Sequence, residues 1–363
     1  MYKAFKEELA RSLNRLSFGK WPTPVEKLEK ISTRLGTELY VKRDDLSGDE
    51  YGGNRVRQME WLLADIKKKG ARRILTFGGV GSNYIVALAA YARHANIQCE
   101  GIVIDQPLTT QVRKNLLLAQ HFGASIHFAQ TFLSAALVLW KLRNAFIRED
   151  GVAPYVVRPG AATPIGSLGY ALGALELAEQ IRSGICSQPQ RIFVATSSCG
   201  TTAGLLAGIS LSGLEISVTG VQVADSYVTN SFNIRWITNG VLRLFEQYAP
   251  RTFSLSKRSR PEFELCKNYL GGRYGVPIKA GEDAVEIAKN EGGLTLEGTY
   301  TGKAFAAFLA WAQRPENTGE KALFWNTYNS VDFSAILKDA DWRLLPQSIW
   351  KYFDGSIPIA AVK

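Results

Sequence analysis

The chain of 363 residues has few of the side chains that most often do chemistry near neutral pH or bind metals: three histidines and four cysteines. Cys99, Cys186, Cys199 and Cys266 are scattered, with no Cys-x-x-Cys spacing. That distribution argues against a disulfide framework and against a zinc site, so no metal is expected. His94, His121 and His127 fall in none of the glycine-rich loops and read as surface or packing residues. A Ser–His hydrolase has no support either, because no Gly-x-Ser-x-Gly elbow is present. No apolar run approaches the roughly 20 residues of a membrane-spanning helix. The first 20 residues carry Lys and Arg but no apolar signal core, so export is not indicated and a cytoplasmic location is expected. Long linkers, internal repeats and low-complexity tracts are also missing.

The composition is that of an ordinary globular protein, 46% hydrophobic and 21% charged. The length suggests one large or two moderate domains. The formal net charge of +10 raises the question of nucleic acid. However, the cations come in short clusters, Lys67-Lys68-Lys69 and Arg72-Arg73, which suit exposed helix ends, and no nucleic-acid motif accompanies them. A basic pocket for a phosphorylated or carboxylated small molecule accounts for the charge equally well.

Apolar runs of strand length alternate with helical periodicity. Strands are predicted at Glu38–Lys42, Ile74–Phe77, Cys99–Ile104, Ser125–Phe128, Tyr155–Val157, Arg191–Ala195 and Val218–Val223. Helices are predicted at Val56–Lys69, Ile85–Ala95, Gln111–Phe122, Leu168–Ser183 and Ala203–Leu211. Such alternation argues for an α/β fold with mainly parallel sheets. Twice a strand runs through a glycine-rich loop into a helix, at 78–83 and at 196–202, which places helix N-termini where anions bind. Composition alone would put a domain break near Pro154–Gly166.

Six segments, in order, carry a family resemblance. They are Lys42-Arg43-Asp44-Asp45, Gly52-Gly53-Asn54-Arg55, Gly78-Gly79-Val80-Gly81-Ser82-Asn83, Asn115-Leu116-Leu117-Leu118 with Gly123-Ala124, Gly166-Ser167-Leu168-Gly169-Tyr170, and Tyr300-Thr301-Gly302-Lys303-Ala304. Pro22-Thr23-Pro24-Val25-Glu26 adds to them. Together they resemble the D-cysteine desulfhydrase / 1-aminocyclopropane-1-carboxylate deaminase family, which are enzymes of fold type II dependent on pyridoxal 5′-phosphate (PLP). The resemblance implies two domains, each with a central, mainly parallel sheet flanked by helices. It implies a discontinuous large domain, 1–55 and 165–363, with a small domain, 56–164, inserted. It also implies a homodimer, by family analogy only.

What the resemblance implies about the site departs from the family at several positions. The residue after Gly-Gly-Asn is the lysine that carries PLP as a Schiff base; here it is Arg55, beside Asn54. A guanidinium stays charged near neutral pH and offers no nucleophilic amine, though it can hold an anion by bidentate hydrogen bonds. In the loop Ser197-Ser198-Cys199-Gly200-Thr201, backbone N–H groups and hydroxyls form a phosphate cup; the family has glycines where Ser197 and Cys199 stand. By resemblance Asn83 bonds the cofactor's phenolic oxygen and Ser82 lies beside the reacting carbon, while Tyr84 replaces a frequent His. Tyr300 and Thr301 match a Tyr-Thr or Tyr-Glu pair near cofactor and substrate. In Asn326-Thr327-Tyr328-Asn329 only Thr327 matches the family's His-Thr-Gly-Gly at the pyridine end. Lys42 and Lys303 match lysines that the family keeps besides its Schiff-base lysine, so a structural role is expected for both.

The expected function is therefore that of a divergent member of this family. It would bind PLP non-covalently, a PLP–amino acid adduct or another anionic metabolite, without an internal aldimine. An alternative is an active lyase, deaminase or condensing enzyme that uses Tyr300 or Ser82. A second alternative is a non-enzymatic regulatory protein. The changes at 84, 197, 199 and 326–329 make Arg55 one of several departures around one presumed pocket.

Overall fold

A computed structural model describes residues Met1–Ile357. These form two compact units: Met1–Trp61 with Ala162–Val331, and Leu62–Ala161 with the described part of the segment that begins at Asp332. The sequence reading places the junctions near 55 and 165 and keeps the C-terminal segment with the large domain. Instead, this segment packs with the second unit, through Phe333 against Phe122 and the Tyr352 hydroxyl bonded to Asp105.

Among the described residues the strands are β1 Val25–Lys27, β2 Glu38–Arg43, β3 Arg73–Gly79, β4 Gln98–Ile104, β5 Ser125–Ala129, β6 Tyr155–Val157, β7 Arg191–Thr196, β8 Ser217–Gln222, β9 Phe263–Cys266 and β10 Lys321–Asn326. The first unit holds a sheet in the order β1-β2-β10-β7-β8-β9, parallel except for β1 on β2. The second unit holds a parallel sheet in the order β5-β4-β3-β6. The central strand β10 reads Ala-Leu-Phe-Trp-Asn after its first lysine and is buried throughout that stretch, as a strand covered on both faces requires.

In the first unit, one helix pair sets the geometry of the site. The helix Pro164–Arg182 starts from a Thr163 cap with proline in its first turn. It packs against the helix Gly200–Ser212, whose Gly204 and Gly208 permit close approach. A Cβ on Gly204 would lie 2.5 Å from the Ser167 carbonyl oxygen and 2.6 Å from Tyr170 Cβ.

A buried ion network lies beneath this pair. Lys42 Nζ donates to Glu176 at 2.7 Å, to Gln180 at 2.6 Å and to the Thr23 carbonyl at 2.7 Å. Arg57 bonds Asp44 at 2.8 and 2.9 Å and Glu176 at 2.9 Å, and its guanidinium stacks 4.0 Å from the Trp21 ring. Burial alone would raise the Glu176 carboxyl, but the charges and hydrogen bonds of Arg57 and Lys42 hold it down to about 2. For Lys42 burial dominates and its ammonium is depressed despite Glu176. The network therefore stabilises by less than the carboxylate alone suggests. It fixes β2 and the start of the helix Arg55–Lys68 to each other.

Candidate cofactor and active site

Ligands of open α/β sheets gather outside the carboxyl ends of strands, where the strand order reverses. In the first unit that point lies between β7 and β10, with β8 and β9 on one side and β2 on the other. The loops leaving these strands carry Ser197–Cys199, Thr327–Asn329 and Asp44–Asn54.

Cys199 caps the helix Gly200–Ser212 in the left-handed region, at φ 73°. A side chain there costs roughly 1–2 kcal/mol, which is why glycine suits the position. The Cys199 thiol lies 3.5 Å from the Val228 carbonyl and near that of Asn230, and burial pushes it up to about 11. The Ser197 carbonyl accepts from Thr229 Oγ1 at 2.5 Å, which holds the loop's shape. Asn54 Nδ2 donates to Thr201 Oγ1 at 2.8 Å. Since the Thr201 oxygen is the acceptor, its own proton points elsewhere. The first N–H groups of a helix have no intrahelical partner, and the helix dipole adds positive potential at that end.

Two further hydroxyls border this helix start. Ser167 and Tyr170 stand one turn apart, both buried; the Ser167 hydroxyl finds no hydrogen-bond partner among the described residues, whereas the Tyr170 phenol lies within hydrogen-bonding reach of Thr201 and Arg55. A Cβ on Gly200 would lie 3.1 Å from Ser167 Oγ. Burial raises the Tyr170 phenol, while the charge of Arg55 and the nearby Thr201 work against that rise.

At the opposite end, loop 47–54 is bonded onto loop 327–330. Asn54 N donates to the Thr327 carbonyl at 3.3 Å, Gly52 N to Asn329 Oδ1 at 2.6 Å and Ser330 Oγ to the Asp45 carbonyl at 2.8 Å. Gly53 needs to be glycine: its φ is 82°, and a Cβ would sit 2.8 Å from the Thr327 oxygen and 2.9 Å from that of Tyr328. Asn329 thus has a structural task where the family carries glycine. Asn326 is fully buried; its Oδ1 accepts from Tyr328 N, and its Nδ2 has no partner among the described residues. Burial pushes the Tyr328 phenol up to about 12, with the Glu297 charge adding to it.

Arg55 opens the helix Arg55–Lys68 and donates through Nη1 to Gln58 Oε1 at 2.9 Å. Its charge acts on the phenols of the buried Tyr170 and the half-buried Tyr274 and Tyr300. The hydroxyls of Tyr274 and Tyr300 are hydrogen-bonded to each other. Burial, then the Tyr274 hydroxyl, drives Tyr300 well above the ordinary phenol value. The Glu297 carboxylate accepts the N–H groups of Thr299, Tyr300 and Thr301 at 2.7, 2.8 and 2.9 Å, a negative cap at a helix start. Thr301 Oγ1 accepts from Glu297 N at 3.0 Å, so its hydroxyl serves the same turn.

The structure thus brings Asn54, Arg55, Ser197–Thr201, Tyr300, Thr301 and Thr327 into one unit. Ser82 and Asn83 belong to the second. Ser82 caps its helix by accepting from Ile85 N, and Asn83 Oδ1 accepts from Asn115 Nδ2 at 2.6 Å. His127 bonds Glu100 at 2.8 Å in that unit. The sequence reading passed over Gln58, Ser167, Tyr170, Tyr274 and Glu297. Ser167 and Tyr170 lie inside the segment Gly166–Tyr170, Glu297 is an acid just before a helix start, and Tyr274 carries no sequence signal. No group of three or more His, Cys, Asp or Glu suited to a metal occurs among the described residues.

These residues fit a phosphate at the helix start, through N–H groups and the Ser167 hydroxyl, which has no partner among the described residues. They do not fit a covalent cofactor link at position 55. Neither Lys42 nor Lys303 substitutes: the first is held in the ion network, and Lys303 Nζ donates to the Leu270 and Val276 carbonyls, each at 2.7 Å.

Two units built on mainly parallel sheets, with a strand–loop–helix turn where the strand order of the larger one reverses, define the fold-type II architecture of PLP enzymes. The chain belongs to the pyridoxal-phosphate dependent enzyme family, whose pattern matches residues 16–327. It is 32% identical to the D-cysteine desulfhydrase of Salmonella typhimurium over 302 residues, covering 81% of this chain and 87% of that protein. The crystal structure of an ACC deaminase homologue superimposes with a TM-score of 0.74 at 28% identity, covering 93% of this chain and 99% of that one. A threonine deaminase of Solanum lycopersicum, at 15% identity and a TM-score of 0.62, shares the fold. Among the described residues no helix is long and apolar enough to cross a membrane.

Proposed function

We propose that the first unit binds PLP, a PLP–amino acid adduct or another anionic metabolite without a covalent lysine link, and that Arg55 serves there as an anion contact. One observation carries the reading. A phosphate-type loop with unpaired polar capacity shares a unit with a guanidinium at the position where the family resemblance expects an amine. The phosphate is held by the N–H groups of Gly200 and Thr201, the Ser198 hydroxyl and the Thr201 proton. Asn54 orients Thr201, and Gln58 orients Arg55. Bound PLP would supply an electron sink for carbanion chemistry. Arg55 offers no neutral amine to move a proton. The ligand is expected to be a small amino acid or anionic metabolite and the assembly a homodimer in the cytoplasm.

The test compares wild type with Arg55→Lys, each incubated with PLP and treated with borohydride. Wild type should bind PLP in equilibrium dialysis, release it on denaturation and show no modified lysine. Arg55→Lys should retain PLP covalently at residue 55. A modified lysine in wild type, or no PLP and no phosphate bound at millimolar concentration, ends this reading.

The bonded Tyr274–Tyr300 pair favours a second reading, an active lyase or deaminase. Tyr300, protonated at neutral pH, would act as a proton donor rather than a base. Tyr300→Phe should then abolish turnover of D-cysteine or a related amino acid while leaving phosphate affinity unchanged. Equal turnover by both proteins removes this alternative.

A further inference from the structure

We infer that Lys303 is the positioning residue of the Tyr274–Tyr300 pair, tying the two phenols together from behind. The inference rests on the reading in which that pair faces the ligand. Its geometry, though, belongs to the protein alone. Tyr300 caps the helix Thr301–Ala312, and Lys303 lies in the first turn of that helix. Tyr274 lies in the loop between β9 and the helix Lys279–Gly292. The Lys303 ammonium donates at 2.7 Å to the carbonyls of Leu270 and Val276, which bracket Tyr274 on both sides. One side chain therefore joins the helix that presents Tyr300 to the loop that presents Tyr274.

The loop needs such a tie. Gly271, Gly272 and Gly275 all have positive φ, at 78°, 92° and 80°, so the loop's backbone gives Tyr274 little intrinsic stiffness. The residue beside Tyr274, Arg273, is exposed. The path of the lysine stem is also prepared. A Cβ on Gly281 would lie 3.4 Å from Lys303 Cγ, and one on Gly302 would lie 2.7 Å from the Gly281 carbonyl. Both glycines let the two helices close around the stem. Burying a cation is unfavourable: desolvation lowers this ammonium to about 8, although the Glu297 charge pulls the other way. A core that needed only volume at 303 would be served by methionine or leucine. What the cation adds is two charge-assisted bonds to the tyrosine loop.

Lys303→Met in the full chain tests this, with Lys303→Gln as a second variant. Trypsin cleavage after Arg273, followed by mass spectrometry well below the melting temperature, should speed up about ten-fold. In alkaline titration at 295 nm, two late phenols of wild type should move down toward the ordinary value of about 10. Adding Tyr274→Phe to Lys303→Met should add less than either change alone predicts. Inorganic phosphate affinity should stay within about two-fold, because loop 197–201 is untouched. Absent phosphate binding in wild type would refute the proposed function and leave the tie standing. Wild-type cleavage and wild-type phenol titration in a folded variant overturn the inference. So does failure of both variants to fold, which would assign Lys303 to general core support.

Discussion

Replacing Thr201 by valine isolates one hydrogen bond at the helix start. The hydroxyl accepts from Asn54 Nδ2 at 2.8 Å, and in the proposed function its proton turns from the Tyr170 phenol to an anion seated on the N–H groups of Gly200 and Thr201. Valine keeps the shape of threonine, so packing against the helix Pro164–Arg182 is retained. A hydrogen bond to a charged group contributes about 1.5–3 kcal/mol. At 1.4 kcal/mol per ten-fold, losing it weakens binding by roughly 10- to 150-fold. Asn54 is 8% exposed and loses an acceptor, which adds about 1–3 kcal/mol of destabilisation to the free protein. Affinity is measured by equilibrium dialysis of PLP and by competition with inorganic phosphate, and stability by urea denaturation. Thr201→Ser, which keeps the hydroxyl, should bind within a few-fold of wild type. A folded Thr201→Val protein with unchanged affinity for PLP and phosphate would show that the anion does not sit on this hydroxyl, and the orientation argument from Asn54 would fall with it.

Glu176→Gln removes the shared anion of Lys42 and Arg57 and should cost about 3–5 kcal/mol, read from the urea midpoint; a loss below about 1 kcal/mol would contradict the network's role. The folded Glu176 carboxyl, at about 2, lies below its unfolded value of 4.5, so its stabilisation is complete above that value and fades as pH falls toward 2. Urea midpoints between pH 5.5 and 2.5 should drop in wild type and drop less in Glu176→Gln; parallel slopes would refute the assignment. Gly53→Ala forces a side chain into positive φ and against two carbonyl oxygens, at a cost of about 2 kcal/mol or more. It should also abolish PLP binding by moving Asn54, and unchanged dialysis would argue against that coupling.

Much of the scaffold was legible because parallel strands buried on both faces read as short apolar runs. Every predicted strand and helix is present, with shifts at the ends; the helix expected from Val56 begins at Arg55, and that expected at Ile85–Ala95 spans Asn83–Ala92 before a tighter turn. Several helices are not predicted, among them Phe132–Asp150. Its Ala135 and Phe146 face inward, while Leu133, Leu137 and Trp140 are exposed at 75%, 57% and 64%. Apolar residues on opposite faces blur the single stripe that marks a surface helix. Strand β10 was read only as a site loop. At the site, glycine, serine and threonine between a strand and a helix were visible locally. Tyr274 was not: it meets Tyr300 across 26 residues through a loop of no distinctive pattern. Ser167 and Tyr170 matter only because two helix glycines let a neighbouring helix approach them.

The order of strands in the larger sheet has a consequence for biosynthesis. Strand β2 is made early, yet its parallel neighbour β10 begins at residue 321, some 280 residues later. At 5–20 residues per second that interval lasts roughly 15 to 55 s. Strands β3 to β6, by contrast, are contiguous between residues 73 and 157 and can pair while the ribosome is still working. A nascent chain stalled before residue 321 should show protease-resistant β3–β6, with β2 still accessible for want of β10. Until β10 is made, β2 has only the short antiparallel β1 beside it. Any truncation before β10 also leaves β2 and β7 without the strand that joins them.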